Sequence, residues 1–392
     1  MAMDDGRSLI DRRVLLGAGA AVIAGVPSPT FSQQPGTAGI ADGSQGARAA
    51  ADSIADFITT FDLNSAPPVA IERARTAFID TVGVMLAGSQ LPPADIACDV
   101  VKVTGSTPAA TIVGRDLSAA PQLAALANGV AGHCMDFDLT YFAGQSIAAV
   151  IPAILPAAET SGANSAEMLS AFIIAAEIAG RVGRAANEAW RVGGWHTTGT
   201  VGVVAAAAAC ARLLKIEREH IRDVIGITAS LASGVTVNFG SMTKPLHSGH
   251  AAHDGMLAAM LGARGFSANA RALEGKLGYF ESFSRGLSWS PEPFDSLGKS
   301  YDLVDFGYKL KPYPCGGLGH TAIDAALELR DAVAPGDRAR RRRHHAIRRA
   351  ALFRSISALS GERQIQRSLS RRLYVCARRS HARRIYRGGS AR

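Results

Sequence analysis

Between residues 51 and 265 apolar side chains recur at helical spacing. Ile54, Phe57, Ile58 and Phe61 fall at i, i+3, i+4 and i+7, a single apolar stripe. Pro67-Pro68 interrupts the pattern, and the spacing then predicts a helix over 70–86 closed by Gly88. A β-prone stretch over 110–113 ends in Gly114. Further helices are predicted near 121–132, 148–160, 165–183, 199–214, 219–233 and 251–264. Ser165, with Glu167 in the first turn, gives a reasonable helix start. The run 203–211 is apolar all round and holds five consecutive alanines, so it predicts a buried helix that neighbours can approach closely. After Gly265 the periods shorten, at 301–304 and 306–310, as at the start of a second, α/β domain. The expected fold is therefore mostly α, a large all-helical domain over 51–265 followed by a smaller, incomplete α/β domain over 266–334. No segment of this body is apolar enough to cross a membrane.

The two ends differ from this body. Asp11-Arg12-Arg13 precedes an uncharged run to about Val26 and then Pro27-Ser28-Pro29, the layout of a secretory signal over residues 1–32. Paired arginines before a weakly hydrophobic, Gly/Ala-rich core resemble a twin-arginine signal, so the expected location is periplasmic or secreted, or cytoplasmic if the signal is not real. Residues 33–50 read as a linker. Composition changes the picture most at the other end. The formal net charge of +9 suggests a nucleic-acid partner until it is located. Of the 42 Lys and Arg, 18 Arg fall in 338–392 with a single acid, Glu362, which leaves 24 basic against 32 acidic residues in 1–337. The body is acidic, which argues against nucleic acid as its partner, and the basic balance belongs to an Arg-rich tail over 335–392. That tail reads as an out-of-frame translation, a disordered segment or a basic arm, the first being preferred because it contains no Lys. Aromatics at 6% beside 41 Gly suit closely packed helices better than a β-sandwich. Cys98, Cys134, Cys210, Cys315 and Cys376 lack C-x-x-C spacing, which argues against a disulfide framework or structural zinc and for small buried hydrophobes.

Candidate chemistry lies where polar residues crowd into apolar surroundings. Gly132-His133-Cys134-Met135-Asp136-Phe137-Asp138-Leu139-Thr140-Tyr141 lies between two predicted helices, and in an extended chain Asp136 and Asp138 point the same way. Gly194-Trp195-His196-Thr197-Thr198-Gly199-Thr200 sits at the mouth of the alanine helix. Ser241-Met242-Thr243-Lys244-Pro245-Leu246-His247-Ser248-Gly249-His250 reads as a loop feeding a helix, where Lys244 and the free N–H groups of the helix start can hold an anion. Each also has a plainer reading: the aspartates as helix caps, His196 as a satisfied core histidine, Lys244 as a solvated cation. The i, i+3, i+6 spacing of His247, His250 and His253 walks too far round a helix for one metal, so no metal site is expected.

Taken together, the three segments resemble the signature of the MmgE/PrpD family, as does Lys311-Pro312-Tyr313-Pro314-Cys315 through His320. The similarity runs from about Ile54 to Leu329. The resemblance implies a large helical domain with an α/β lid, a homodimer, no cofactor and no metal. It implies a lyase or isomerase (a dehydratase, decarboxylase or epimerase) that moves a proton beside a carboxylate of a small di- or tricarboxylate. Such chemistry needs fixed cations where negative charge develops and a positioned acid/base. Lys244 and Lys311 supply the cations, and Asp136, His196 and His320 are the proton carriers, with a histidine expected to stay protonated and act as the acid and Asp136 either the base or the group orienting one. Asp136, His196, Lys244 and His320 are thus the catalytic set, with Asp138, Thr140, Gln145, Thr243, His247 and Lys311 around the substrate. Two departures stand out: Leu139 replaces a final acid of the D-F-D-D pattern, and Gln145-Ser146 stand where the family has His-Pro. Gln145 has no usable pKa near neutrality, which leaves open a carboxylate binder without turnover. The family's later lid segments are not legible after the Arg-rich run begins.

Overall fold

Ile54, Phe57, Ile58 and Phe61 form the buried face of helix α1 (Ala50–Thr60) and its C-cap, the two phenyl rings meeting edge to face at 5.5 Å. The computed structural model describes residues 49–186 and 193–333, apart from the side chains of 331–333; the signal, nearly all of the linker and the Arg-rich tail lie outside the described residues. In chain order the helices are α2 (Pro68–Gly88), α3 (Pro92–Thr104), α4 (Pro121–His133), α5 (Val150–Ser161), α6 (Ser165–Ala186), α7 (Thr197–Leu213), α8 (Arg218–Leu231), α9 (Thr243–Gly262), α10 (Tyr279–Ser284), α11 (Asp302–Asp305) and α12 (His320–Val333). The strands are two-residue pieces: β1 (Ala110–Thr111) pairs antiparallel with β2 (Ser118–Ala119), and β3 (Thr140–Tyr141) with β4 (Tyr308–Lys309). The chain is mostly helical, and no described helix is long and apolar enough to cross a membrane.

α7 is the centre of the bundle. Ala205 to Ala209 are fully buried, as expected of a helix without a polar face, and α5, α6, α8 and α9 all pack around it. Small residues set the spacing: a Cβ on Gly255 of α9 would lie 2.6 Å from Ala206 Cβ. α4 and α9 approach even more closely, since a Cβ on Gly129 would meet Gly249 Cα at 2.6 Å. This crossing brings the loop after α4 beside the first turns of α9.

Several boundaries differ from the sequence reading. α6 is capped by Asn164, not Ser165: its Oδ1 accepts from the N–H groups of Ala166 and Glu167, and Glu167 Oε2 accepts in return from the Asn164 N–H at 2.8 Å. α3 was not anticipated, and α9 begins eight residues before the expected 251. Lys244, His247 and His250 are thus helical, and the N–H groups of Thr243 and Lys244 already donate to Ser241. The free helix start expected there as an anion cradle is occupied.

Beyond Gly265 the chain returns to the bundle through a buried ion network. Arg181 of α6, with no exposed surface, pairs with Glu177 at 2.6 Å and with Asp302 at 2.7 Å. Glu177 also accepts from the N–H groups of Asp302 and Leu303, both at 2.8 Å. Arg73 of α2 donates to the carbonyls of Leu303 and Val304, while the Tyr308 hydroxyl donates to the Arg73 carbonyl at 2.6 Å. With α11 fixed in this way, β4 reaches β3 and the chain runs on towards Lys311.

Candidate functional site

The site loop leaves α4 at Cys134 and turns at Asp136, whose φ of +50° is left-handed, a conformation that aspartate tolerates better than most side chains. The backbone is therefore not extended between Asp136 and Asp138, yet both carboxylates reach one partner. Gln145 Nε2 donates to Asp136 Oδ1 at 2.8 Å and lies 3.1 Å from both oxygens of Asp138. Neither aspartate caps α5, which starts at Val150.

Two ammonium groups converge on Asp136. Lys311 Nζ is 2.6 Å from Oδ1 and 2.9 Å from the backbone oxygen of the same residue; Lys244 Nζ is 2.9 Å from that Oδ1. Burial by itself raises the carboxyl pKa, but Lys311 and then Lys244 overcome it and hold Asp136 well below its ordinary value. Asp138 is buried, which likewise raises its pKa, and its pairing with His133 Nδ1 at 3.0 Å brings it below the ordinary value. Lys311 is buried, whereas Lys244 keeps some exposure and stands over the Phe239 ring at 5.5 Å.

Behind Gln145 lies a row of imidazoles. His196 is the N-cap of α7, fixed by its N–H donating to the Gly234 carbonyl at 2.9 Å. Its Nδ1 is 2.9 Å from His247 Nδ1, its Nε2 is 3.0 Å from Thr198 Oγ1, and Thr198 Oγ1 is 3.1 Å from the Gln145 carbonyl. The His133 and His196 rings lie 5.6 Å apart, and Phe239 meets His196 edge-on at 4.7 Å. Burial, followed by the charges of His133, His247 and Lys244, pushes His196 down to about 2. His247 is lowered for the same first reason. The expectation that a histidine here stays protonated and serves as the acid fails at His196: the ring is sealed from water, and no described carboxylate bonds to it.

The structure thus joins Asp136, Asp138, Gln145, Lys244 and Lys311 directly, with His196 two hydrogen bonds behind Gln145, through Thr198, and His247 one further on. It does not join the other three expected residues to them among the described residues. Thr140 stands opposite Lys309 in the β3–β4 pair, and Thr243 opens α9. His320 Nε2 lies 3.2 Å from the Cys315 carbonyl, with its ring against Tyr313. Two residues were missed. His133 stands in the quoted segment, and its five-residue spacing to Asp138 across a helix end was the available signal. Thr198 follows His196 by two, a position from which a hydroxyl at a helix start can reach back to the ring. His253 Nδ1 bonds Asp254 Oδ1 at 2.8 Å and His250 Nδ1 lies 3.1 Å from Asp254 Oδ2, while His247 turns the other way, to His196.

Residues 52–292 match the model of the MmgE/PrpD N-terminal domain. The chain is 30% identical over 268 residues to the cis-aconitate decarboxylase of Homo sapiens, covering 66% of this chain and 55% of that protein. It is 29% identical to the Mus musculus enzyme of the same name, covering 74% and 60%. With cis-aconitate decarboxylase from Aspergillus terreus the identity is 26%, over 67% of this chain and 56% of that one. The chain therefore spans little more than half the length of these relatives. With the family model matching more than half of its residues, the chain belongs to the MmgE/PrpD family.

Proposed function

We propose that this chain is a lyase that moves a proton at the carbon beside a carboxylate of a small tricarboxylate or dicarboxylate. One observation carries the reading: two ammonium groups, Lys244 and Lys311, stand within hydrogen-bond distance of a single oxygen of Asp136. One carboxylate cannot neutralise both. Asp138 is turned towards His133 and Gln145, so the second ammonium has no carboxylate of its own within hydrogen-bond distance and can pair with an incoming anion. Lys244 commits one of its three N–H donors to Asp136 and has two to offer. Negative charge that builds as the proton leaves carbon would be held there, by groups already in place. Burial and the neighbouring cations keep the imidazoles behind this pair uncharged, the state from which a base starts, and make them weaker proton acceptors than free histidine. The relatives named cis-aconitate decarboxylase support a tricarboxylate as the substrate class.

A second reading is favoured by Gln145. Its amide ties Asp136 to Asp138 and cannot carry a proton, as expected of a protein that holds a carboxylate without turning it over. One experiment separates the two: calorimetric titration of the full chain with cis-aconitate and citrate, with products followed by proton NMR in deuterium oxide. The lyase reading expects binding together with loss of carbon dioxide or water, or deuterium at carbon. Binding with no product and no exchange leaves the binder; no binding of either acid ends both readings.

A further inference from the structure

Behind Gln145 the hydrogen-bond donors and acceptors can be matched in only one direction. The Gln145 carbonyl accepts from the Ala148 N–H at 3.0 Å and lies 3.1 Å from Thr198 Oγ1. A carbonyl has no proton to give, so the Thr198 hydroxyl is the donor; otherwise two lone pairs would face each other at that distance. Thr198 is fully buried, and its single hydrogen is thereby committed. Its oxygen must then accept from His196 Nε2, 3.0 Å away. His196 is buried without a carboxylate partner among the described residues, so it is uncharged and a protonated Nε2 leaves Nδ1 bare. That bare nitrogen lies 2.9 Å from His247 Nδ1, which must therefore carry the hydrogen. Gly234 fits the ring into place: a Cβ there would meet His247 Cγ at 3.2 Å and Nδ1 at 3.3 Å. An uncharged His247 with its proton on Nδ1 presents a bare Nε2.

We propose that Thr198 is a positioning residue that, through His196, fixes His247 in the Nδ1–H tautomer and makes His247 Nε2 the proton acceptor of the site. The use of that acceptor rests on the lyase reading above; the tautomer does not. In the step it serves, the C–H bond beside the substrate carboxylate breaks, and its electron pair delocalises into that carboxylate facing Lys244 and Lys311. The proton bonds to His247 Nε2, which becomes an imidazolium still donating from Nδ1 to His196.

The test uses the full chain labelled with nitrogen-15 histidine and long-range proton–nitrogen correlation at neutral pH, with signals assigned by their loss in His196→Gln and His247→Gln. The expected spectrum has His247 protonated on Nδ1 and bare on Nε2, and His196 the reverse. Thr198→Val, which removes the hydroxyl at nearly constant shape, moves the His247 Nε2 signal towards the protonated position, whereas Thr198→Ser keeps the native pattern. A native His247 that carries its proton on Nε2, or one that does not respond to Thr198→Val, overturns the proposal. Should Thr198→Val not fold, the native spectrum decides alone. Because the readout needs no turnover, the expected spectrum from a protein that binds no polycarboxylate would sink the functional reading and leave the tautomer standing.

Discussion

Lys311 and Lys244 share an acceptor but not a situation. Lys311 is 3% exposed and donates twice to Asp136, to the carboxylate and to the backbone oxygen, so it fixes the left-handed turn as well as the charge. Lys244 has 15% of its side chain exposed and donates once. Losing a hydrogen bond to a charged group removes about 1.5–3 kcal/mol. Lys244→Met is therefore expected to weaken tricarboxylate binding by about 10–100-fold with little change in stability. Lys311→Met is expected to weaken it at least as much and also to lower the urea midpoint, because the turn at Asp136 loses its anchor. Calorimetry and urea unfolding of the two variants check this; equal affinity in Lys244→Met and the native chain would remove that ammonium from the site. At this scale the sequence revealed the residue types but not their geometry. Asp136 and Asp138 do meet one partner, as alternation in an extended chain suggests, but through a φ of +50° at Asp136, which alternation does not contain. The lowering of the His196 pKa was not legible either, because spacing shows which groups are near and not how deeply they are buried.

Helices carry these residues, and helix contacts set how well they align. Gly129 and Gly249 let α4 and α9 cross with backbones touching; a Cβ on Gly129 would lie 2.6 Å from Gly249 Cα and 2.8 Å from both Gly249 N and the Ser248 oxygen, all atoms that cannot swing aside. Gly129→Ala is expected to destabilise the chain by about 1–3 kcal/mol, the usual penalty of overpacking, and to shift Lys244 and His247 relative to Asp138. Urea unfolding checks the first, and a native-like midpoint would show that the helices part without strain. The network joining α6 to α11 gives a pH prediction. Burial raises the Glu177 carboxyl to about 7, although Arg181 and two backbone N–H groups pull the other way. A folded pKa above the unfolded one means that the folded state binds the proton more tightly. Stability from this group is then fully present below about 4.5 and is lost as pH rises through about 7. Glu177→Gln cannot titrate, so the native chain is expected to lose ground against it between pH 5 and pH 8 in urea unfolding. A flat difference would mean that Glu177 is ionised throughout. Most helices were legible because their apolar period is strong, as in α1. α3 was missed because three of its apolar residues, Ile96, Val100 and Val103, are exposed and blur the stripe. The start of α9 was missed because Pro245 and Gly249 read as loop chemistry, although proline is tolerated in a first turn.

Across the whole molecule the site is a cluster of paired charges in an acidic body, assembled from segments far apart in sequence. Lys311 comes to Asp136 only because β4 pairs with β3, Thr140 opposite Lys309, and such two-residue strands leave no periodic trace to read. That convergence exists only in the folded chain, which makes ligand stabilisation a test of the site as a unit. A ligand that binds the folded state alone at about 100 times its dissociation constant adds about 2.7 kcal/mol. For the described part of this chain, at ordinary unfolding entropy per residue, that amounts to a rise in melting temperature of about 5 °C. Citrate or cis-aconitate is expected to produce this rise, acetate much less at the same ionic strength, because one carboxylate cannot engage Lys244 while a second group reaches the rest of the site. Sodium chloride at matched ionic strength is expected to produce a smaller rise that does not depend on Lys244, since screening acts on the acidic surface as a whole and not on the Lys244–Asp136–Lys311 cluster. At the same citrate concentration Lys244→Met should cut the response to about half or less, while leaving the salt response unchanged. Scanning calorimetry of the native chain and of this variant decides the matter: if salt alone matches citrate, or if the response is undiminished in Lys244→Met, the anion is acting on the surface and not in the site.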